Sequence, residues 1–262
     1  MDLKNRVVMV TGAASGIGKE LAVELARHGC TLVLVDINED KLTETLNEVK
    51  KYAPDSTAEP CDIGNREQVN GMVETVQTRY GHIDILVNNA GIMTVKLFSE
   101  LTDDEFNRHM EVNYYGAVYL IRAVVPIMEK QGEGVIMNVA SVGGKLCVPG
   151  TSAYSASKAA LYAFSETLQY ELKDKGIHVG VVLPGGTRTE IHDSVCNKLG
   201  EYQRDQCTTP PSKLTKGIRQ AIEKERFETV VPSSYRLYIR FHDLFPGLFR
   251  NFVLRKLRPY FE

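Results

Sequence analysis

No stretch of this 262-residue chain is apolar for long enough to cross a bilayer, and neither sign of charge is in excess. The first absence excludes a membrane-spanning helix. The second, 31 Lys and Arg against 33 Asp and Glu, removes any global electrostatic case for nucleic-acid binding. The five cysteines, Cys30, Cys61, Cys147, Cys196 and Cys207, include no CxxC pair and no metal-ligand spacing. Odd in number and so spaced, they predict reduced thiols of a cytosolic protein and no disulfide framework. Six histidines without an HExxH arrangement offer no metal site. There is no internal repeat, low-complexity tract or linker, and MDLKN leads directly into VVMV, which predicts no signal peptide. What remains, at 43% apolar and 24% charged residues, is the composition of a soluble, cytoplasmic globular protein with a substantial core.

What the chain does have is alternation. RVVMVT, TLVLVD, IDILVN, GVIMNVA and IHVGVVLP are short, rich in Val and Ile and almost continuously apolar, as strands buried on both faces of a parallel sheet must be. STAEPCDI is a weaker sixth candidate, with Pro60 confined to its end. Between these runs, Gly18–Gly29, Asn65–Tyr80, Val112–Lys130 and Ser152–Lys175 carry apolar residues at helical spacing. Repeated β-α alternation predicts a doubly wound, three-layer α/β Rossmann fold. It covers residues 1–234, in which 187–212 form a flap over the site, and an aromatic, basic segment follows at 235–262 that is no independent domain.

The turn Thr11–Gly18, TGAASGIG, follows the first strand and opens the first helix. Gly12 permits a tight turn, Gly16 lets the backbone approach a pyrophosphate, and Gly18 allows close helix packing. With Ser15 and Ile17 they form a cofactor cradle at a helix N-terminus, whose unpaired N–H groups and positive dipole suit phosphates. Asp36, about twenty residues on, ends the second strand, where its carboxylate accepts ribose hydroxyls or caps the helix beginning near Asn38. Its charge repels a 2′-phosphate, and Ala13, Ala14, Ile37 and Asn38 offer no cation to neutralise one, so NAD is favoured over NADP. Asp62, with Ile63 beside it, is placed either for the adenine edge or to cap the next helix.

Tyr154 and Lys158 are four residues apart in SAYSASKAA, and Ser141 ends GVIMNVAS thirteen residues before Tyr154. On a helix that spacing puts the phenol and ammonium on one face, a single turn apart. A neighbouring cation favours the phenolate, predicting a Tyr154 pKa below its usual value of about 10. Ser141 can then hold a substrate oxygen while Tyr154 exchanges its proton.

TGAASGIG, NNAG at Asn88–Gly91, Asn113, Ser141, Tyr154-x-x-x-Lys158 and PGGTRT at Pro184–Thr189 together resemble the short-chain dehydrogenase/reductase family, in order over residues 5 to about 190. The resemblance implies a seven-stranded parallel sheet and an NAD-dependent alcohol–ketone oxidoreductase. It implies Tyr154 as acid/base, Ser141 as the group that orients the substrate oxygen, and Lys158 on the nicotinamide ribose. Asn113 would hold, through its main chain, a water linking Lys158 to solvent. Asn89, Ala90 and Gly91 would lie along the adenosine ribose, and Pro184, Gly185, Thr187 and Thr189 at the nicotinamide end, with Gly186 loosening that turn.

Ile92–Leu97, Val142–Pro149 and the flap would wall the substrate pocket; Met93, Leu146, Val148, Pro149 and Ile191 make it apolar, and Lys145 and Arg188 read as solvated. A hydrophobic secondary alcohol or ketone, lipid-, steroid- or retinoid-like, is the expected substrate. In the tail, Leu248, Phe249, Phe252, Val253 and Leu257 form one predicted apolar face, with Pro246 breaking the helix in two. That tail, similar to the C-terminal segments of lipid- and steroid-directed family members, closes the pocket, packs on a partner subunit or rests on a membrane. Tyr115, Tyr119, Leu161, Phe164 and Leu168 are expected outward on the helices that pair the family's subunits, making a homodimer or homotetramer. Two other functions use related folds: an NAD-binding sensor or scaffold without turnover, and a sugar-nucleotide epimerase or dehydratase, for which the roughly seventy residues after Pro184 leave little room for a substrate domain.

Overall fold

The structure, a computed structural model, describes residues 1–188 and 198–260, except for the Gln203 side chain. Seven strands form one sheet in the order β3-β2-β1-β4-β5-β6-β7. They are β1 Val7–Thr11, β2 Thr31–Asp36, β3 Thr57–Pro60, β4 Ile85–Asn88, β5 Gly134–Val139, β6 Ile177–Pro184 and β7 Glu228–Val231. All six pairings are parallel. The apolar runs become strands because both of their faces are covered. In β1, Val8 and Val10 join the core beneath helices α1 (Gly16–Arg27), α2 (Glu39–Val49) and α8 (Pro211–Glu223), while Val7 and Met9 face α3 (Arg66–Tyr80) and α5 (Gly116–Gln131). The period of two along a strand feeds both layers from one short segment. Each Val or Leu so buried contributes about 1.5–3 kcal/mol.

The chain winds from β1 to β3 in one direction and from β4 to β7 in the other. Loops leaving the carboxyl ends of β1 and β4 therefore diverge to opposite faces, and a crevice opens between them. β7 matches none of the strands expected from individual segments, since ETVV is short and preceded by charge. β3 ends at Pro60, as a missing N–H requires.

The predicted helix from Val112 begins one element earlier. Thr102 caps α4 (Asp103–Met110), which runs through a π-turn at Glu111–Tyr115 into α5. Helix α6 (Ser152–Leu172) packs on β5 and β6. Its Leu161 is buried against Val181 and Leu183, so it is not an outward residue as expected; Tyr115 is exposed, and Tyr119, Phe164 and Leu168 are half-buried.

After α7 (Lys198–Asp205), α8 and β7, the tail forms α9 (Tyr235–Leu244) and α10 (Pro246–Leu257), divided at Pro246. Its apolar face is split. Phe249 and Leu257 are buried and Val253 half-buried, whereas Leu248 and Phe252 are exposed, because α10 turns only part of its circumference towards the apolar clusters it joins.

A polar chain crosses the apolar layer. Asn88 Nδ2 donates to Asn138 Oδ1 (2.8 Å), Asn138 Nδ2 to Ser165 Oγ (2.8 Å), and Ser165 to the Leu161 carbonyl. It ties β4, β5 and α6 in one register below the crevice. Replacing Asn138 by Ala strands the buried Asn88 amide, and urea unfolding is expected to show a loss of about 2 kcal/mol. An unchanged midpoint would mean the chain is not a structural tie.

Candidate active site

Beyond Thr11 the chain turns through Gly12 and Gly16, both at positive φ (67° and 53°). A Cβ on Gly12 would lie 2.9 Å from both Ala90 Cα and Asn89 Nδ2, and one on Gly18 would run into the Gly12 carbonyl. Gly18 therefore seats α1 against its own turn, while Gly12, Ser15, Gly16 and Ile17 line a cavity of about 920 Å³ along the sheet's carboxyl edge. Ser15 precedes α1 without a side-chain cap bond, so α1 begins with its first N–H groups uncapped by it.

Thr11 does more than begin the glycine turn. Its hydroxyl accepts the N–H groups of Asn89 and Ala90, each at 3.0 Å, and Asn89 Nδ2 donates to the Thr11 carbonyl at 2.9 Å. The NNAG turn is thereby held to β1 across the switch in strand order, with Asn89, Ala90 and Gly91 in the cavity wall. A threonine ending an apolar run carries no local sign of that role.

Asp36 reaches the cavity with its carboxylate on two main-chain donors, Ala14 N at 3.1 Å and Asn38 N at 3.0 Å. It does not cap α2; Asn38 does, accepting from Lys41 N. Asp62 likewise does not cap α3, which Asn65 caps. Its two carboxylate oxygens accept Arg108 Nη2 at 3.0 and 2.9 Å, while Arg108 Nη1 donates to Glu111 at 3.3 Å, and Asp62 also accepts Gly64 N. Asp62, Ile63 and Arg108 share this end of the cavity. Arg108, on α4, has no sequence signal, because the pair forms only when the loop after β3 meets α4.

At the other end, α6 presents Tyr154 and Lys158 on one face, the ammonium 5.9 Å from the phenol ring centroid. Lys158 is buried and its Nζ donates to the Val139 carbonyl at 2.9 Å. Burial lowers its pKa to about 8. The predicted depression of Tyr154 is not what the surroundings produce. Burial pushes its phenol above the ordinary value, against the smaller pull of a hydrogen bond with Ser141. The cause is desolvation of the charged form, and Lys158 directs its charge at Val139. Ser141 Oγ also accepts Gly143 N at 3.0 Å, capping the short turn Val142–Gly144.

Asn113 lies behind the wall, in the π-turn. Its Oδ1 accepts Ile92 N (2.8 Å) and its Nδ2 donates to the Ile92 carbonyl and to Ser157 Oγ (both 3.0 Å). It clasps the loop after β4 to α6. A Cβ on Gly91 would sit 3.2 Å from both Asn113 Oδ1 and Lys158 Nζ, which explains the glycine there.

Pro184, Gly185 and Thr187 line the cavity beyond β6; Thr189 and Ile191 lie outside the described residues. The turn is not loosened by Gly186. Thr187 bridges Thr209, Thr209 N donates to the Gly186 carbonyl and Arg188 N to the Thr209 carbonyl. A Cβ at Gly185 would collide with the Tyr235 ring, so the first residue of α9 seals this corner. Arg188 Nε donates to the Cys207 carbonyl, and Lys145 pairs with Glu228 at 2.7 Å; both are engaged. Met93, Leu146 and Val148 line the apolar part as expected and Pro149 does not. Tyr202, Tyr238, Phe249 and Phe252 complete it, contributed by helices whose approach only the fold reveals.

A family model described as short chain dehydrogenase matches residues 6–199. The chain is similar to dehydrogenase/reductase SDR family member 7B of Danio rerio, 31% identical over 98% of this chain and 87% of the relative. It is also similar to 3-dehydrosphinganine reductase of Danio rerio, 40% identical over 72% of this chain and 58% of that protein. A short chain dehydrogenase/reductase from Burkholderia phymatum, solved in complex with NAD, has the same fold, with a TM-score of 0.88 over 95% of this chain and 96% of that one at 24% identity.

The buried ammonium has a consequence for stability. With its folded pKa near 8 and its unfolded value near 10.5, Lys158 binds fewer protons folded than unfolded between those pH values. Stability of the cofactor-free protein relative to Lys158→Met is therefore expected to rise by about 3 kcal/mol as the pH climbs from 8 to 10.5. Paired urea titrations with a flat difference would refute the depressed ammonium.

Proposed function

Since the chain belongs to the short chain dehydrogenase family, we propose that it is an NAD-dependent oxidoreductase interconverting a hydrophobic secondary alcohol and its ketone. Tyr154 is the acid/base of this reading. The observation that carries it is the convergence in one cavity wall of the Tyr154 phenol, its Ser141 hydrogen-bond partner and the buried Lys158 ammonium.

The cradle fits a dinucleotide: Cβ atoms at Gly12 and Gly18 would fill or distort the turn, and the α1 N-terminus lies open to the cavity. Gly12, Ser15, Gly16 and Ile17 would hold the phosphates, Asp36 the adenosine ribose, Asp62 and Ile63 the adenine edge, Lys158 the nicotinamide ribose and Thr187 the carboxamide. Asp36 supports NAD over NADP, because Arg108, a cation lining the cavity beside Asp62, is already matched by that carboxylate. When bound, the nicotinamide supplies the hydride acceptor or donor.

The protein's own part is positioning and proton transfer. Ser141 orients the substrate oxygen, and Tyr154 withdraws the alcohol proton in oxidation or returns it in reduction. Because burial keeps the phenol protonated, alcohol oxidation speeds up as pH rises and the phenolate becomes accessible. Apolar substrate is supported by Met93, Leu146, Val148, Phe249 and Phe252 around the reacting end, and it accords with a relative named 3-dehydrosphinganine reductase. Exposed Tyr115 and Tyr170 on the α5–α6 side support a homodimer or homotetramer. The intact Ser141, Tyr154 and Lys158 set weighs against a silent sensor.

A fluorescence screen for NADH formation across secondary alcohols tests the reading. Wild type is expected to respond to apolar alcohols, and Tyr154→Phe to lose roughly 10²–10⁴-fold in kcat while still binding NAD. Equal inertness of both proteins with tight NAD binding would favour the sensor. Activity confined to NADP would overturn the role of Asp36.

A further inference from the structure

Nine of the fourteen exposed large apolar side chains among the described residues fall between 237 and 260, so the unburied apolar surface is concentrated on the tail. On α9 they are Leu237, Tyr238, Phe241 and Leu244, spaced to fall within one third of the helix circumference, opposite buried Ile239, and Phe245 follows at its C-terminal cap. On α10, Leu248 and Phe252 stand one turn apart, at 61% and 56% exposure. Arg236 and Arg240 flank the first stripe, and Arg255 and Lys256 the second. From 235 to 260 there are six Arg and Lys against the single acid Asp243.

Two of these residues belong to both surfaces. Tyr238 from α9 and Phe252 from α10 are exposed and also line the cavity. The stripes of the two helices therefore adjoin the cavity, and Lys256, 5.9 Å from the Phe252 ring, stands beside that opening.

We propose that the outer face of α9 and α10 docks on an anionic lipid surface, with the mouth of the cavity turned towards the bilayer. Aromatic and Leu side chains enter the headgroup–acyl boundary while the flanking Arg and Lys engage lipid phosphates and carboxylates. No helix among the described residues is long and apolar enough to cross a membrane, and α9 and α10, of ten and twelve residues, lie on the surface. A second copy of the chain is the rival occupant. Isologous pairing would set this basic face against itself, Arg against Arg, whereas anionic lipid complements it. As the source of an apolar alcohol or ketone, the bilayer extends the oxidoreductase reading and rests on it for the cargo; docking itself is measured without turnover.

The test is sedimentation of the full chain with phosphatidylcholine vesicles, with and without phosphatidylglycerol. Binding to the anionic vesicles, weakened by added salt, is expected. Leu237→Ser, Leu244→Ser and Leu248→Ser combined should weaken it roughly tenfold or more, because these side chains line no part of the cavity and meet only the lipid. Melting temperature and turnover of a water-soluble alcohol should be unchanged. Arg240→Ser with Arg255→Ser should abolish the preference for anionic lipid, which guards against misfolding of the Leu variant. No sedimentation with either vesicle, or binding indifferent to both variants, overturns the proposal. So does a larger assembly that the Leu variant dissociates without any vesicle binding, which assigns the face to a second copy. Vesicle binding without turnover of any alcohol would sustain the docking and sink the oxidoreductase reading.

Discussion

A single ammonium buried against one main-chain carbonyl is the constraint around which the site is built. Lys158 points from α6 to the Val139 carbonyl at the end of β5, almost wholly shielded from solvent. Such a group is costly, and burial draws its pKa down to about 8. It holds its place only because α6 lies in fixed register on the sheet, and the Asn88–Asn138–Ser165 chain secures that register from below. Its neighbours answer the same constraint. Gly91 lacks a side chain where one would crowd Nζ, and Asn113 joins the loop carrying Gly91 to the helix carrying Lys158. Tyr154 and Ser141 then meet the cavity from a scaffold that already holds a charge in reserve.

The cofactor end follows a different logic. There the backbone does the work, and side chains act mainly to aim it. Thr11 joins the two strand ends on either side of the crevice, Asp36 takes two N–H groups of adjoining turns, and Gly12 and Gly18 let three segments converge. The Asp62–Arg108 pair closes this end by neutralising its own charge, leaving Asp36 as the carboxylate with main-chain partners alone. A site composed in this way suits a ligand with phosphates and a diol.

The tail contributes to both faces of the molecule. Tyr235 fills the space that Gly185 vacates, and Phe249 and Leu257 complete two of the apolar clusters, so the segment is part of the cavity wall. Its opposite face holds most of the exposed large apolar side chains among the described residues, edged with arginine.

Features that depend on neighbours in the chain were legible in the amino-acid order. The glycine turn, the α/β alternation, the four-residue step from Tyr154 to Lys158 and the break at Pro246 arise from backbone sterics and helical pitch, which operate over a few residues. Other expectations failed because distant segments decided them. Asn38 and Asn65 took the caps that spacing alone had left open to Asp36 and Asp62 as the alternative to cofactor contacts, and Arg108 reached Asp62 from 46 positions away. Leu161 turned inward, Thr209 steadied the turn at Gly186, and dehydration outweighed the nearby cation at Tyr154. Local order determined which groups the protein has and roughly how they are strung. Tertiary packing decided which are dry, which are paired and which face a ligand, because solvation and charge pairing are properties of a volume that the linear chain does not enclose.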